Sequence, residues 1–101
     1  MNIEIEPLEE SYVMRKDREP IGFISVAYFK NIPQCEIQGL YVDPAYRNKG
    51  YGKQLIKHII DKVDKNIVEI AATCEEQNIA SNHIFEELGF KRFNKWVLRK
   101  T

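Results

Sequence analysis

The segment Arg47-Asn48-Lys49-Gly50-Tyr51-Gly52-Lys53 holds the densest chemistry in this chain. It follows Val42-Asp43-Pro44, where a β-rich run stops, and it opens a strongly amphipathic run. A helix start leaves several backbone N–H groups unpaired, with the positive end of the helix dipole among them. An anion is the natural partner of such a place. Gly50 and Gly52 carry no side chain to hold a phosphate away from those amides, and Arg47, Lys49 and Lys53 bring positive charge. Each good charge-assisted bond is worth about 1.5–3 kcal/mol, so the loop has the means to seat a pyrophosphate. The plainer reading has the glycines relieving crowding at a helix start and the charges merely solvated. Neither a GxxxxGK[ST] loop nor a GxGxxG after an early parallel strand is present. A valine at Gly50 is expected to fill the phosphate's place and leave the fold intact.

The elements that must position this loop can be read from periodicity. Ile3 and Ile5 alternate with polar neighbours, which predicts a short strand ended by Pro7. Ser11 to Lys16 predicts a second strand, and Asp17-Arg18-Glu19-Pro20 a turn. Ile21 to Lys30 is rich in β-branched and aromatic residues and predicts a long third strand. Asn31-Ile32-Pro33 turns the chain again, and Gln34 to Val42 forms the fourth. Leu55, Ile56, Ile59, Ile60 and Val63 then line one face of a helix. Ile67 to Thr73 is a buried strand, so strands four and five should be parallel neighbours joined by a crossover. Asn78 to Leu88 predicts a second helix, with Ile79, Ile84, Phe85 and Leu88 apolar and Gly89 as its cap. Phe90 to Phe93 and Trp96 to Lys100 close the chain as a hairpin around Asn94-Lys95. The sum is an α/β (α+β) fold whose mixed sheet is mostly antiparallel, with one parallel pair at its centre.

Composition bounds the function. The 101 residues suit one domain, 1–101, with no linker or repeat. Hydrophobic residues make up 44% and charged residues 30%, and Lys plus Arg equal Asp plus Glu at fifteen each. That balance favours neither nucleic acid nor an anionic membrane as partner. The acidic, alternating start has the wrong chemistry for a secretory signal, and the nearly apolar run from Ile21 to Phe29 is far too short for a span. Cys35 and Cys74 lie far apart without a CxxC pairing, which suits reduced thiols in the cytoplasm. Together with His58 and His83 they match no zinc spacing, so no metal is expected.

The loop resembles the acetyl-CoA signature of the GNAT N-acetyltransferase superfamily, an Arg or Gln followed by x-x-Gly-x-Gly or Ala. Here it reads Arg47-Asn48-Lys49-Gly50-Tyr51-Gly52, behind the frequent Val42-Asp43-Pro44. A second block of that family, Asn then a small residue, Tyr and Leu-Gly-Phe, is matched by Asn78, Ser81, Phe85 and Leu88-Gly89-Phe90. The resemblance covers roughly 21–100. It implies the GNAT fold, acetyl-CoA as cosubstrate and an amine as acceptor. Carried over residue by residue, it makes the backbone of Leu40, Tyr41 and Val42 a rest for pantetheine. Arg47, Asn48, Lys49, Gly50, Tyr51, Gly52 and Lys53 would cradle the pyrophosphate, and Asn78 and Phe85 would border the cofactor from the second helix. A helix N-cap is the structural alternative for Asn78.

Amine acetylation needs a neutral nucleophile. A lysine-like amine of pKa ~10.4 gives up its proton at pH 7 at a cost of roughly 4–5 kcal/mol, so a base within reach helps. The resemblance places Glu36 at a position where some members carry a catalytic glutamate; the alternative is an exposed strand glutamate. Strict alternation sets Glu36 on the face of Val42, and a bulge near Gly39 would reverse that. Two departures stand out. The tyrosine that often protonates the leaving thiolate is Phe85 here, although a thiol of pKa ~8.5 is already a fair leaving group. Cys74, ending the fifth strand, is a candidate proton donor or acetyl carrier, or else an inert buried thiol. The family's N-terminal helix pair does not fit between the first two strands. The acceptor cleft should then be open, or completed by a second copy, and either suits a bulky protein or peptide amine, although a small-molecule amine stays open as acceptor. Two further readings stay open: a GNAT-fold module that holds acyl-CoA with little catalysis, and a small α/β interaction domain.

Overall fold

The computed structural model describes residues 2–9, 11–29, 31–73, 79–92 and 95–100. The alternating runs build one mixed sheet of seven strands: β1 (Ile3–Leu8), β2 (Ser11–Lys16), β3 (Glu19–Tyr28), β4 (Gln34–Val42), β5 (Glu69–Ala72), β6 (Lys91–Arg92) and β7 (Trp96–Arg99). Their order is β1-β2-β3-β4-β5-β7-β6. Only β4 and β5 run parallel among the described pairs, joined by the crossover through α1 (Tyr51–Lys62). The second helix, α2 (Ile79–Glu87), leads into the closing hairpin.

Boundaries shift where pairing overrides local signals. Pro7 does not end β1; it pairs with Tyr12, and β1 runs on to Leu8. An edge strand tolerates proline because no neighbour needs its missing N–H. β3 starts earlier than expected, at Glu19, because Lys16 and Arg15 pair with Glu19 and Pro20. β5 is shorter than expected: Ile67 N–H donates to Asp64 O in a turn, although Val68 still bonds Pro33 and Lys100. Gly89 closes α2 as foreseen, with Phe90 N–H donating to Phe85 O at 3.0 Å. The predicted start of α2 at Asn78, the end of the hairpin's first strand at Phe93 and its turn residue Asn94 lie outside the described residues.

Both helices cover the same face of the sheet. A Cβ on Gly22 of β3 would come within 3.3 Å of Leu55 of α1, and Phe85 of α2 stacks on Trp96 of β7, which pairs with Ala72. The core lies between them and the sheet: Met14, Ile24, Val26, Cys35, Ile37, Leu55, Ile56, Ile59, Ile70, Phe85, Phe90 and Trp96 are all buried. The apolar stripe of α1 read from spacing is therefore its packing face. One irregularity matters for function. Ser25 pairs with Gly39 but Val26 pairs with Ile37, so Gln38 is an extra residue in β4. This bulge reverses the alternation along the strand. Cys35 and Ile37 before it, and Leu40 and Val42 after it, share the helix-covered face. Glu36 lies on the opposite face, the one alternative the alternation count had left open.

Candidate active site

The site begins where β4 loses a neighbour. The last β4–β5 pair is Ile37 with Ala72, and among the described residues β4 continues to Val42 bonded to β3 alone. Asp43 N–H donates to Ile21 O at 2.7 Å. Bonded and non-bonded pairs alternate in an antiparallel ladder, so the peptide groups of Leu40 and Val42 point away from β3 into the gap. The carbonyl of Val42 proves the direction, since it accepts from Arg47 Nε at 2.9 Å.

The chain then makes a short 3₁₀ turn, Pro44–Tyr46, capped by Asp43, whose carboxylate accepts from Ala45 N–H at 3.0 Å. Gly50 turns the chain into α1 with φ of 83°, and no side chain among the described residues caps the helix start. The first amides of α1 thus have neither a helical nor a side-chain partner. A cleft of about 350 Å³ opens against them. Leu40, Tyr41 and Val42 form one wall, Tyr46, Arg47, Asn48, Gly50, Tyr51 and Gly52 the floor, and Ser81 and Ile84 of α2 the far side. A Cβ on Gly52 would lie 3.8 Å from Leu40, Val42 and Ile84, so that glycine keeps the cleft open between its two walls.

Not every residue singled out from sequence faces this cleft. Lys49 is exposed and does not line it. Lys53 bends back to Glu87 of α2 at 2.8 Å, and the other oxygen of Glu87 is 2.6 Å from His83 Nε2. The hydrogen bond and charge of Lys53 hold the Glu87 carboxyl below its usual range. Phe85 is buried against Phe90 and Trp96, with ring centroids 5.1 Å and 6.3 Å away, and forms core rather than cleft lining. Its apolar ring gains more there than beside a wet cleft. Glu36 pairs with Lys95 Nζ at 3.4 Å on the helix-free face. Cys74 and Asn78 lie outside the described residues. Sequence reasoning missed Tyr46, Ser81 and Ile84 as lining residues. The i, i+3 spacing of Ser81 and Ile84 on one face of α2 was the available signal. Among the described residues no group of His, Cys, Asp and Glu is placed to hold a metal ion, and no helix is long and apolar enough to cross a membrane.

An uncapped helix start behind a parted parallel strand pair is the arrangement on which comparison with known proteins can be judged. The model of the acetyltransferase (GNAT) family matches residues 2–90. The chain belongs to that family. An uncharacterised N-acetyltransferase of Bacillus subtilis (strain 168), YfmK, is 42% identical over 53 residues, which is 52% of this chain and 36% of YfmK. The alanine N-acetyltransferase of ribosomal protein bS18 from Escherichia coli (strain K12) is 28% identical over 60 residues, covering 58% of this chain and 40% of the enzyme. The matched chain spans well under half the length of both relatives. Among solved structures, a chain of the NatC complex bound to Gag peptide and CoA superposes with a TM-score of 0.80 and 27% identity, covering 92% of this chain and 72% of that one. The GNAT fold expected from the signature is thus the fold observed.

Proposed function

We propose that this GNAT chain is an acetyl-CoA-dependent N-acetyltransferase acting on a primary amine, carried by a small molecule, a peptide or a protein. One observation carries the reading: the start of α1 is free of any side-chain cap and opens into the cleft beside the unpaired edge of β4. Diphosphate oxygens fit the amides that follow Gly50, where fixed N–H donors need no reorganisation. An amide-bearing arm such as pantetheine fits the peptide groups of Leu40 and Val42, as a strand added to the parted edge. A solved complex bound to CoA, one chain of which shares this fold, supports CoA as the ligand.

Acetyl-CoA supplies an activated acetyl thioester. This chain's residues then have three tasks. The α1 amides and Arg47 hold the anionic end. The β4 edge orients the arm so that its reactive end reaches the gap beyond Ile37 and Ala72. Glu36, on the far face next to the last β4–β5 pair, takes the proton of an incoming ammonium, provided Lys95 yields its place. Phe85 offers no proton to the departing thiolate, and its burial removes it from cofactor contact. The thiol's own acidity and solvent then serve that step. The open far face accommodates a bulky amine and leaves room for a second copy as its wall; cytoplasmic residence fits the free thiol Cys35.

Calorimetry with acetyl-CoA, followed by thiol release across a panel of amines, tests the reading. Saturable binding plus amine-dependent thiol release is expected. Binding without turnover would leave an acyl-CoA-holding module, the reading that the buried Phe85 favours. An absence of heat at millimolar ligand would leave a small interaction domain.

A further inference from the structure

The helix-free face of the sheet contains an amine that already sits on the candidate base. Lys95 Nζ lies 3.4 Å from Glu36 Oε2, with side-chain exposures of 36% and 21%. The two residues are 59 apart in sequence, and their meeting follows from topology. β5 lies between β4 and β7, with Glu36 beside Ala71 and Ala71 beside Val97. Lys95 immediately precedes Trp96, which pairs with Ala72, the last residue of β5. Lys95 therefore stands at the level where β4 and β5 part, and its side chain reaches back across β5 to Glu36. Beneath that bridge Ala71 is fully buried (0% exposed), although no helix among the described residues covers its face.

On the reading above, the acetyl acceptor is a primary amine, which needs a carboxylate within reach to take its proton. The chain supplies such an amine itself. We propose that Lys95 is a self-acetylation site, the amine this chain presents to its own acetyl donor at the lip of the β4–β5 gap. The inference rests on the N-acetyltransferase reading above. In the transfer, Lys95 gives one proton to Glu36, which passes it to solvent. The nitrogen lone pair attacks the thioester carbonyl carbon and forms the N–C bond. The C–S bond breaks, and the thiolate takes the second proton from the nitrogen. N-acetyl-lysine, free CoA thiol and one proton result. Acetylation removes the charge of Lys95, so it also releases Glu36 for an external cationic amine.

The test is to incubate the full chain with acetyl-CoA and follow each lysine by peptide mass spectrometry. Lys95 should gain an acetyl group about 10²-fold faster than exposed Lys57 and Lys65, the lower worth of a positioned base. The rate should be independent of protein concentration and suppressed by excess free CoA, and Glu36→Gln should slow Lys95 alone. Modification of Lys95 no faster than Lys57 overturns the proposal, as does labelling that ignores excess CoA. A rate that rises with protein concentration assigns the transfer to a second copy and overturns the intrachain geometry. Calorimetry on the same sample separates the two levels. Acetyl-CoA that binds and acetylates an added amine but never Lys95 refutes this inference alone. A chain that binds no acetyl-CoA refutes the functional reading with it.

Discussion

Arg47 Nε donates to the carbonyl of Val42 at 2.9 Å, and its guanidinium lies 5.8 Å from the centroid of the Tyr41 ring. The first residue of the glycine-bearing loop is thereby tied to the last residue of β4. That bond sets the distance between the two parts of the cleft that are proposed to hold opposite ends of acetyl-CoA. The guanidinium's remaining donors are left to approach a phosphate.

Replacing Arg47 with alanine should therefore change binding more than folding. The side chain is exposed, so stability should shift by no more than about 0.5 kcal/mol. Loss of one charge-assisted bond of about 1.5 kcal/mol should weaken acetyl-CoA binding roughly tenfold. Calorimetry and a thermal melt on the same variant check both halves. A normal dissociation constant in Arg47→Ala would remove this residue from the anion seat.

Gly52 offers a cleaner probe than Gly50. Gly50 has a φ of 83°, so a valine there would be strained by about 1–3 kcal/mol even though nothing stands within 4 Å of its Cβ. The expectation that Gly50→Val leaves the fold untouched does not survive that dihedral. Gly52 lies inside the first turn of α1 without a positive φ, and a Cβ there meets only ordinary contacts at 3.8 Å. Gly52→Ala should stabilise the fold by about 0.4–1 kcal/mol through a stiffer unfolded chain and better helix propensity. The same methyl group narrows the cleft and should weaken acetyl-CoA binding. A higher melting temperature with unchanged affinity would show that the ligand does not approach Gly52.

His58 on α1 packs edge-on against Tyr12, with ring centroids 4.7 Å apart. Burial, and then the charge of Lys62, lower its pKa from 6.5, against a smaller opposing pull from Asp61. Tyr12 and these two neighbours are the titratable side chains shown to act on it. Because the unfolded chain binds the proton more readily, stability is fully present above 6.5 and falls as pH drops toward the lowered value. His58→Phe preserves the ring contact and should flatten that part of the stability–pH curve. Denaturant melts between pH 7 and pH 5, ordinary values around the usual histidine range of about 6.5, read the difference. Parallel curves for both proteins would contradict it.

Cys35 of β4 is fully buried, and burial raises its thiol from 9.0 to about 11, only partly offset by Lys100. In a Cys74→Ser background, native protein at mildly alkaline pH should react with a thiol reagent about 10²-fold more slowly than urea-unfolded protein, because so little thiolate is present. Comparable rates in the two states would mean that β4 opens easily.

Much of this arrangement was legible in the residues. The stripe of Leu55, Ile56, Ile59 and Val63 gave the helix and its packing face, and the β-branched run at Ile70 gave the parallel partner of β4. Gly50 marked the helix start, where its positive φ suits few other residues. What escaped depended on contacts between distant segments. Lys53 has the charge and spacing of a phosphate ligand, yet Glu87, 34 residues later, holds it. Phe85 occupies a position suited to cofactor contact by motif, but Phe90 and Trp96 give its ring a drier home. The face taken by Glu36 turned on one extra residue, Gln38, next to the Gly39 at which a bulge stood as the alternative to strict alternation.

That extra residue also divides the molecule's traffic. Ahead of Gln38 the even-numbered position of β4, Glu36, looks out from the bare side of the sheet, while beyond it Leu40 and Val42 serve the helical side. On the proposed function, a donor docked along the helical side and an acceptor arriving at the bare side would enter by separate doors and meet only through the slit between two strands. Neither would need to wait for the other to leave.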